Sequence, residues 1–214
     1  MDEQRLEALR DVVRARMTGT DPAHDFLHVL RVERTARELA AREGADVDIV
    51  VAAALCHELF NHPKDHPESS QSGAICAEQA RALLTEQGFS PSIIEGACEA
   101  IRVHAFSAGL PAETLEAKIL QDADRLDAIG AIGIARFFAT SASMRRPFYC
   151  TVDPFCRLRA PDDKQFALDH YFKKLVRIPE RLNTAHAKTM AEPRMAAMME
   201  FVRHLTSELA ASTL

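Results

Sequence analysis

The stretch VDIVVAAALCHEL, Val47 to Leu59, constrains this chain more than any other. Its period is helical, and apart from Asp48 it is apolar on most sides until it reaches His57-Glu58. A helix without a polar face has no side to give to water, so other elements must surround it. The chain therefore has to wrap helices around this segment, or bury it in a layered fold. The flanking patterns favour the first. Leu6, Leu9, Val12, Val13 and Met17 recur at three-to-four spacing. So do Phe26, Val29, Leu30, Val32, Ala36, Leu39 and Ala40, in a segment stopped near Gly44. Further helices are expected over Ser69–Gln87, from Ser90-Pro91 to about His104, and from Pro111 through Asp124 to Gly130. Ser90 is the expected N-cap of the second of these, with Pro91 in the first helical position. A segment to about Ser143 follows, then helical pattern over Lys164–Val176, after Pro179, and over Glu192–Ala210. No alternating run suggests a sheet, so the class is all-α.

Residues 144–163, MRRPFYCTVDPFCRLRAPDD, interrupt this order with three prolines, three aromatics and no steady period. They read as a long loop, of the kind that is often functional or packs as a lid. A chain of 214 residues suits one domain with an appended element. Hydrophobic content of 47% and charged content of 27% are those of an ordinary globular protein. The net charge of -5 argues against a general nucleic-acid surface, while leaving room for a local basic pocket that takes one small anion. No apolar run reaches the roughly 18 residues of a membrane span. The charged, amphipathic N-terminus lacks the apolar region of a signal peptide. The cysteines at 56, 76, 98, 150 and 156 are odd in number, scattered and without a CxxC pair. They read as reduced packing residues of a cytoplasmic protein.

Residues suited to chemistry fall in four places. His24 and His28 in HDFLH are four apart and share a helix face. His57-Glu58 closes the apolar helix, where two side chains can converge over a helix end on one ion. Asp122, Asp124 and Asp127 in QDADRLDAIGAIG lie on an otherwise apolar helix, and buried carboxylates need partners or cations. His104 ends another helix. Imidazole nitrogens with carboxylate oxygens make a mixed donor set that suits Mn, Fe, Zn and similar divalent ions. A helical bundle can bring such residues to one point. Each place also has a plainer reading: a capped helix start, a polar helix end, an Asp–Arg network.

The ordered set HDFLHVLRV, AAALCHE and ILQDADRLDAIGAIG resembles the H…HD…D signature of the HD-domain metal-dependent phosphohydrolases. The likeness is best over residues 21–136; the tail, with DDKQFALDHYFKKL, is similar to a small bacterial nucleotide-hydrolase-like subgroup. The resemblance implies a single HD-type helical bundle, core about 21–136, with a C-terminal helical extension over about 144–214. It implies His28, His57, Glu58 and Asp124 as ligands of one divalent ion, Mn foremost, with Mg, Fe, Co, Ni or Zn as alternatives. Where the family has His-Asp this chain has His57-Glu58, a side chain one methylene longer. Water activated at the ion would cleave a phosphoester or phosphoanhydride of a nucleotide or related small phosphorylated substrate, releasing pyrophosphate if the substrate is a nucleoside triphosphate.

Asp65 is the candidate for orienting or deprotonating that water. His24, Lys64 and His104 are candidates for phosphate oxygens, and Lys174 for a polyphosphate if the strip of Lys173, Lys174, Arg177 and Arg181 faces the pocket. Asp127 and Arg31 are candidates for holding the ligands in place. The expected protein is cytoplasmic, a monomer or homodimer, and engages neither nucleic acid nor membrane. Two alternatives stand beside this reading. One is a dinuclear iron oxygenase of the same fold, drawing on His62, His66 and His104. The other is a non-catalytic nucleotide-binding regulatory module whose site Glu58 has impaired.

Overall fold

Aspartates set the starts of the first three helices. The computed structural model describes residues 2–17, 24–62, 66–105 and 109–211. Asp2 accepts from Arg5 N at 2.8 Å and opens α1, Glu3–Arg16. Asp25 accepts from His28 N at 3.0 Å and opens α2, Phe26–Glu43. Asp46 accepts from Asp48 N and Ile49 N and opens α3, Val47–Cys56. Each carboxylate satisfies backbone donors that a helix start leaves unpaired. α2 stops where Gly44 takes a left-handed φ of 79°, a conformation that costs a residue with a Cβ but not glycine. The remaining helices are α4 (Ser72–Glu86), α5 (Pro91–Val103), α6 (Leu115–Asp127), α7 (Gly130–Ser143), α8 (Asp169–Lys173) and α9 (Ala185–Ala211). The described residues contain helices, turns and coil and no strand.

The chain divides into two units, Met1–Arg125 and Leu126–Leu214. In the first, α3 is the central element, packed by α1, α2, α4 and α5. All residues from Val50 to Cys56 are buried, as a helix with no polar face requires. Leu6 and Leu9 of α1, Leu39 of α2, Leu83 and Leu84 of α4 and Ile101 of α5 are fully buried around it. Each such side chain contributes about 1.5–3 kcal/mol relative to exposure. Where α4 crosses α5 the backbones nearly touch: a Cβ at Gly73 would lie 2.6 Å from the carbonyl oxygen of Arg102. Cys76 of α4 donates its thiol to the carbonyl oxygens of Cys56 and His57, both at 3.3 Å, serving acceptors that the end of α3 leaves open. Cys56, Cys76 and Cys98 are buried and unpaired, and act as packing residues.

In the second unit α7 packs on α9, with Phe138 between Phe148 and Phe201 at ring distances of 5.2 and 5.9 Å. Residues 144–168 form the long loop, but carboxylates organise it. Asp153 accepts from the backbone N–H groups of Arg157, Leu158 and Arg159. Asp169, fully buried, takes both arms of the Arg159 guanidinium at 2.5 and 2.7 Å, and Asp162 N at 2.6 Å. Asp163 pairs with Lys173 and Lys174.

Several boundaries differ from the sequence pattern. α3 ends at Cys56 rather than Leu59, because Leu59 N bonds back to Cys56 O and tightens the chain into a turn. α6 begins at Leu115, not Pro111: Thr114 caps it by accepting from Ala117 N at 3.2 Å. Ser90 precedes Pro91 as expected, but its side chain bonds Ser92 Oγ and caps nothing. The helix expected over Lys164–Val176 is only Asp169–Lys173 followed by a 3-10 turn, Leu175–Arg177. Asp162 accepts from Lys164 N with its side chain and from Gln165 N and Phe166 N with its carbonyl, a single capped turn that does not continue, because Ala167 N and Leu168 N donate instead to the carbonyl oxygens of Pro147 and Phe148 at 2.9 and 2.8 Å. α9 starts at Ala185, where Thr184 accepts from Ala187 N, and runs through Pro193.

Candidate metal centre

His57 sits at the C-terminal end of α3, and its Nδ1 donates to Ala54 O at 2.7 Å. That bond assigns the proton to Nδ1 and leaves the lone pair on Nε2. The Asp25 cap fixes the first turn of α2 and with it His28, which is fully buried. The two Nε2 atoms face each other at 3.2 Å. Glu58 Oε1 lies 3.7 Å from His28 Nε2, and Asp124 Oδ1, from α6, lies 3.5 Å from the same atom. His28, His57 and Glu58 form the tight three-donor group, and Asp124 joins it through His28. Glu58 thus brings its carboxylate to the cluster despite its extra methylene.

Donors about 2.0–2.2 Å from one ion stand roughly 3–3.5 Å apart, so these separations fit a single divalent cation. The electrostatics point the same way. Burial, and then the neighbouring His28 and His104, push His57 down to about 3. Burial raises Glu58 above the usual carboxylate range, and Asp124 adds to the rise while His28 opposes it. Two imidazole nitrogens and two carboxylates gathered about His28 Nε2 are a donor set that suits a divalent cation.

His104 is buried beside His57 with ring centroids 5.4 Å apart, and its Nδ1 donates to Ile101 O at 2.6 Å. His24 lies edge-on to His28 at 5.9 Å. The four rings of His24, His28, His57 and His104 therefore form a continuous edge-on series. Lys64 and Asp65 lie outside the described residues. Lys174, in the second unit, is half exposed and ion-paired with Asp163 at 2.9 Å. Asp127 pairs with Arg136 at 2.9 Å, the Asp–Arg contact that is the plainer reading of this carboxylate. Asp122 is fully buried. His62 and His66 group with Glu68 instead of with His28.

Sequence pattern did not single out the groups that orient the ligands: the carbonyls of Ala54 and Ile101, the thiol of Cys76 and the amide of Asn61, 3.5 Å from Glu58 Oε2. A backbone carbonyl carries no mark in a sequence. The Asp25-x-x-His28 spacing was the one available signal, since an N-cap places the residue three positions on.

Comparison with known proteins decides the family. The HD-domain family profile matches residues 25–129. The Bacillus subtilis protein YpgQ is 31% identical over 210 residues, 96% of this chain and 94% of YpgQ. The chain belongs to the HD-domain family. Its fold superimposes on the crystal structure of YpgQ in complex with ADP with a TM-score of 0.73, at 31% identity, covering 95% of this chain and 97% of that one. An HD-superfamily hydrolase from Bacillus thuringiensis gives a TM-score of 0.73 at 29% identity, with 98% of both chains covered. The four candidate ligands, His28, His57, Glu58 and Asp124, lie in the matched span, on α2, the end of α3 and α6.

Proposed function

We propose that this HD-domain protein is a divalent-metal-dependent phosphohydrolase that cleaves a phosphoester or phosphoanhydride bond of a nucleotide, releasing pyrophosphate when the substrate is a nucleoside triphosphate. The observation that carries the proposal is the convergence of His28, His57, Glu58 and Asp124, with donor atoms 3.2–3.7 Å from His28 Nε2. The relative YpgQ crystallised with ADP supports a nucleotide as substrate. Those four residues would hold the ion, with Mn first among the candidates. When bound, the ion supplies a Lewis acid for a phosphate oxygen and for the attacking water.

The chain's own groups do the rest. His57, whose protonation burial disfavours and whose ring Ala54 O orients, is assigned to the ion through Nε2. Glu58 and Asp124 bring negative charge that offsets the ion. His24 and His104 flank the donors and are assigned to phosphate oxygens; because Nδ1 of His104 already donates to Ile101 O, its Nε2 donates to phosphate only when the ring carries a second proton. Lys64 is assigned a phosphate oxygen as a point charge, and Asp65 the attacking water, on their place in the chain just after the metal turn. The substrate is a small phosphorylated molecule rather than nucleic acid, consistent with a net charge of -5. No helix among the described residues is long and apolar enough to cross a membrane, and we assign the protein to the cytoplasm.

The test is product release from a panel of nucleotides with Mn, Mg, Co or no metal, scoring phosphate and pyrophosphate separately. Metal-dependent release of pyrophosphate is expected. Metal bound at the centre without turnover of any nucleotide would refute the hydrolase reading and favour the regulatory module.

A further inference from the structure

The segment HPKDHPE after the metal turn places two histidines four apart, each directly before a proline. A residue before proline is held in extended conformations, so neither histidine is free to join a helix. In the structure the rings of His62 and His66 stack in parallel, 4.3 Å between centroids and 2° between planes. Glu68 completes the group: one ligand atom from each of the three lies within 4.8 Å of the others.

Two features mark this as more than a packed turn. His62 Nε2 is buried and has no hydrogen-bond partner, although the residue is firmly placed: its backbone N donates to Ser72 Oγ at 3.1 Å, at the start of α4. Buried polar nitrogens are rarely left unsatisfied, and Phe60, edge-on to the same ring at 4.9 Å, offers only an apolar wall. At His66, Glu68 N donates to Nδ1 at 3.2 Å, so that nitrogen carries a lone pair, and an ion would displace one long local bond.

We propose that His62, His66 and Glu68 form a second divalent-metal site, separate from the His28–His57–Glu58 group. Two imidazoles and one carboxylate suit Zn(II), Co(II) or Ni(II), with open positions left to water. The ligand atoms have to close by about 1 Å to reach the spacing set by bonds of 2.0–2.2 Å. Rotation of the exposed Glu68 side chain and a turn of the His66 ring out of its stack on His62, so that its in-plane lone pair meets that of His62, provide that. The site ties the chain just beyond Glu58 to the start of α4, and it does not depend on what the first centre hydrolyses.

The experiment is Co(II) binding to metal-stripped full-length protein by equilibrium dialysis, with the visible spectrum as a second readout. Wild type is expected to bind two ions per chain, and His57→Ala one. His66→Gln, which leaves the ring of His62 in place, is expected to bind one, and Glu68→Gln to weaken that component about tenfold. The spectrum lost in His66→Gln should be the one retained in His57→Ala. One ion per wild-type chain, lost in His57→Ala, would overturn the proposal. So would two ions per chain persisting in folded His66→Gln protein.

Discussion

His57 Nε2 stands 3.2 Å from His28 Nε2, two buried ring nitrogens from different helices aimed at each other. With His57 Nδ1 bound to Ala54 O, that approach sets lone pair against ring nitrogen, and two carboxylates crowd the same point. A cation at that point satisfies all four donors together.

Removing a ligand tests this directly. Asp124→Ala and His57→Ala are expected to lose bound metal and nucleotide hydrolysis together. Residues that merely orient a ligand cost about 10–100-fold when removed, so loss of a ligand should exceed about 100-fold. Glu58→Asp restores the family's His-Asp pair and is expected to keep or raise activity. Metal content and turnover, measured on the same preparations, check all three; full activity in Asp124→Ala would sink the site.

Metal removal should also register as stability. An ion that binds only the folded chain adds RT ln(1 + [L]/Kd), about 2.7 kcal/mol at a hundred times Kd. Thermal melts with excess Mn and with chelator are expected to differ in that direction. The difference should shrink strongly in Asp124→Ala.

Acid sensitivity should centre on the long loop. Burial, the largest influence on Asp163, acts upward, but hydrogen bonds from Lys173, Lys174 and His170 outweigh it and hold this carboxyl well below the usual range. Asp169 is also lowered: burial raises it, while Arg159 and Asp162 N more than compensate. A carboxyl whose folded pKa is depressed stabilises the fold above its unfolded value of about 3.9. That contribution is lost as pH falls from there through the folded values. Stability of wild type should therefore drop below pH 4 more steeply than that of Asp163→Asn, as followed by denaturant melts across pH.

The pair of buried Asp169 with partly exposed Arg159 should be costly to break from one side. Asp169→Ala leaves Asp162 N and a guanidinium, which water can partly reach, without their acceptor, and such unsatisfied groups cost about 1–3 kcal/mol. Gly73→Ala forces a methyl against the Arg102 carbonyl and is expected to cost about 1–3 kcal/mol. Urea unfolding of each variant gives both numbers.

Thiol labelling should be ordered by environment. Burial pushes the Cys76 thiol up to about 12 and raises Cys56 further, so neither should react in the folded chain. The backbone N–H groups of Asp153 and then Val152 lower Cys150, which is only partly buried. Iodoacetamide at neutral pH is expected to modify Cys150 first, read by peptide mass mapping.

Much of this protein is written locally. The all-α class follows from apolar spacing, and α3 is central because a helix apolar on most sides, from Val50 to Cys56, has nowhere else to go. Gly44 and the caps Asp2, Asp25 and Asp46 act within one turn, so α1–α3 begin or end where short-range chemistry puts them. The signature residues His28, His57, Glu58 and Asp124 were legible as types in order. Their meeting was not, because His28 Nε2 and Asp124 Oδ1 come within 3.5 Å through packing of helices nearly a hundred residues apart in the chain. The same holds for the support of the site: Ala54 O orients His57 and Cys76 closes the end of α3, roles that depend on position and not on residue type. In the tail, Asp162 caps a single turn, and Ala167 N and Leu168 N then bond the carbonyl oxygens of Pro147 and Phe148, twenty residues back in the chain. Residues 164–168 therefore stay irregular despite a helical pattern. Periodicity reports which face a residue would occupy; long-range hydrogen bonds and ion pairs settle whether the helix is there to have a face.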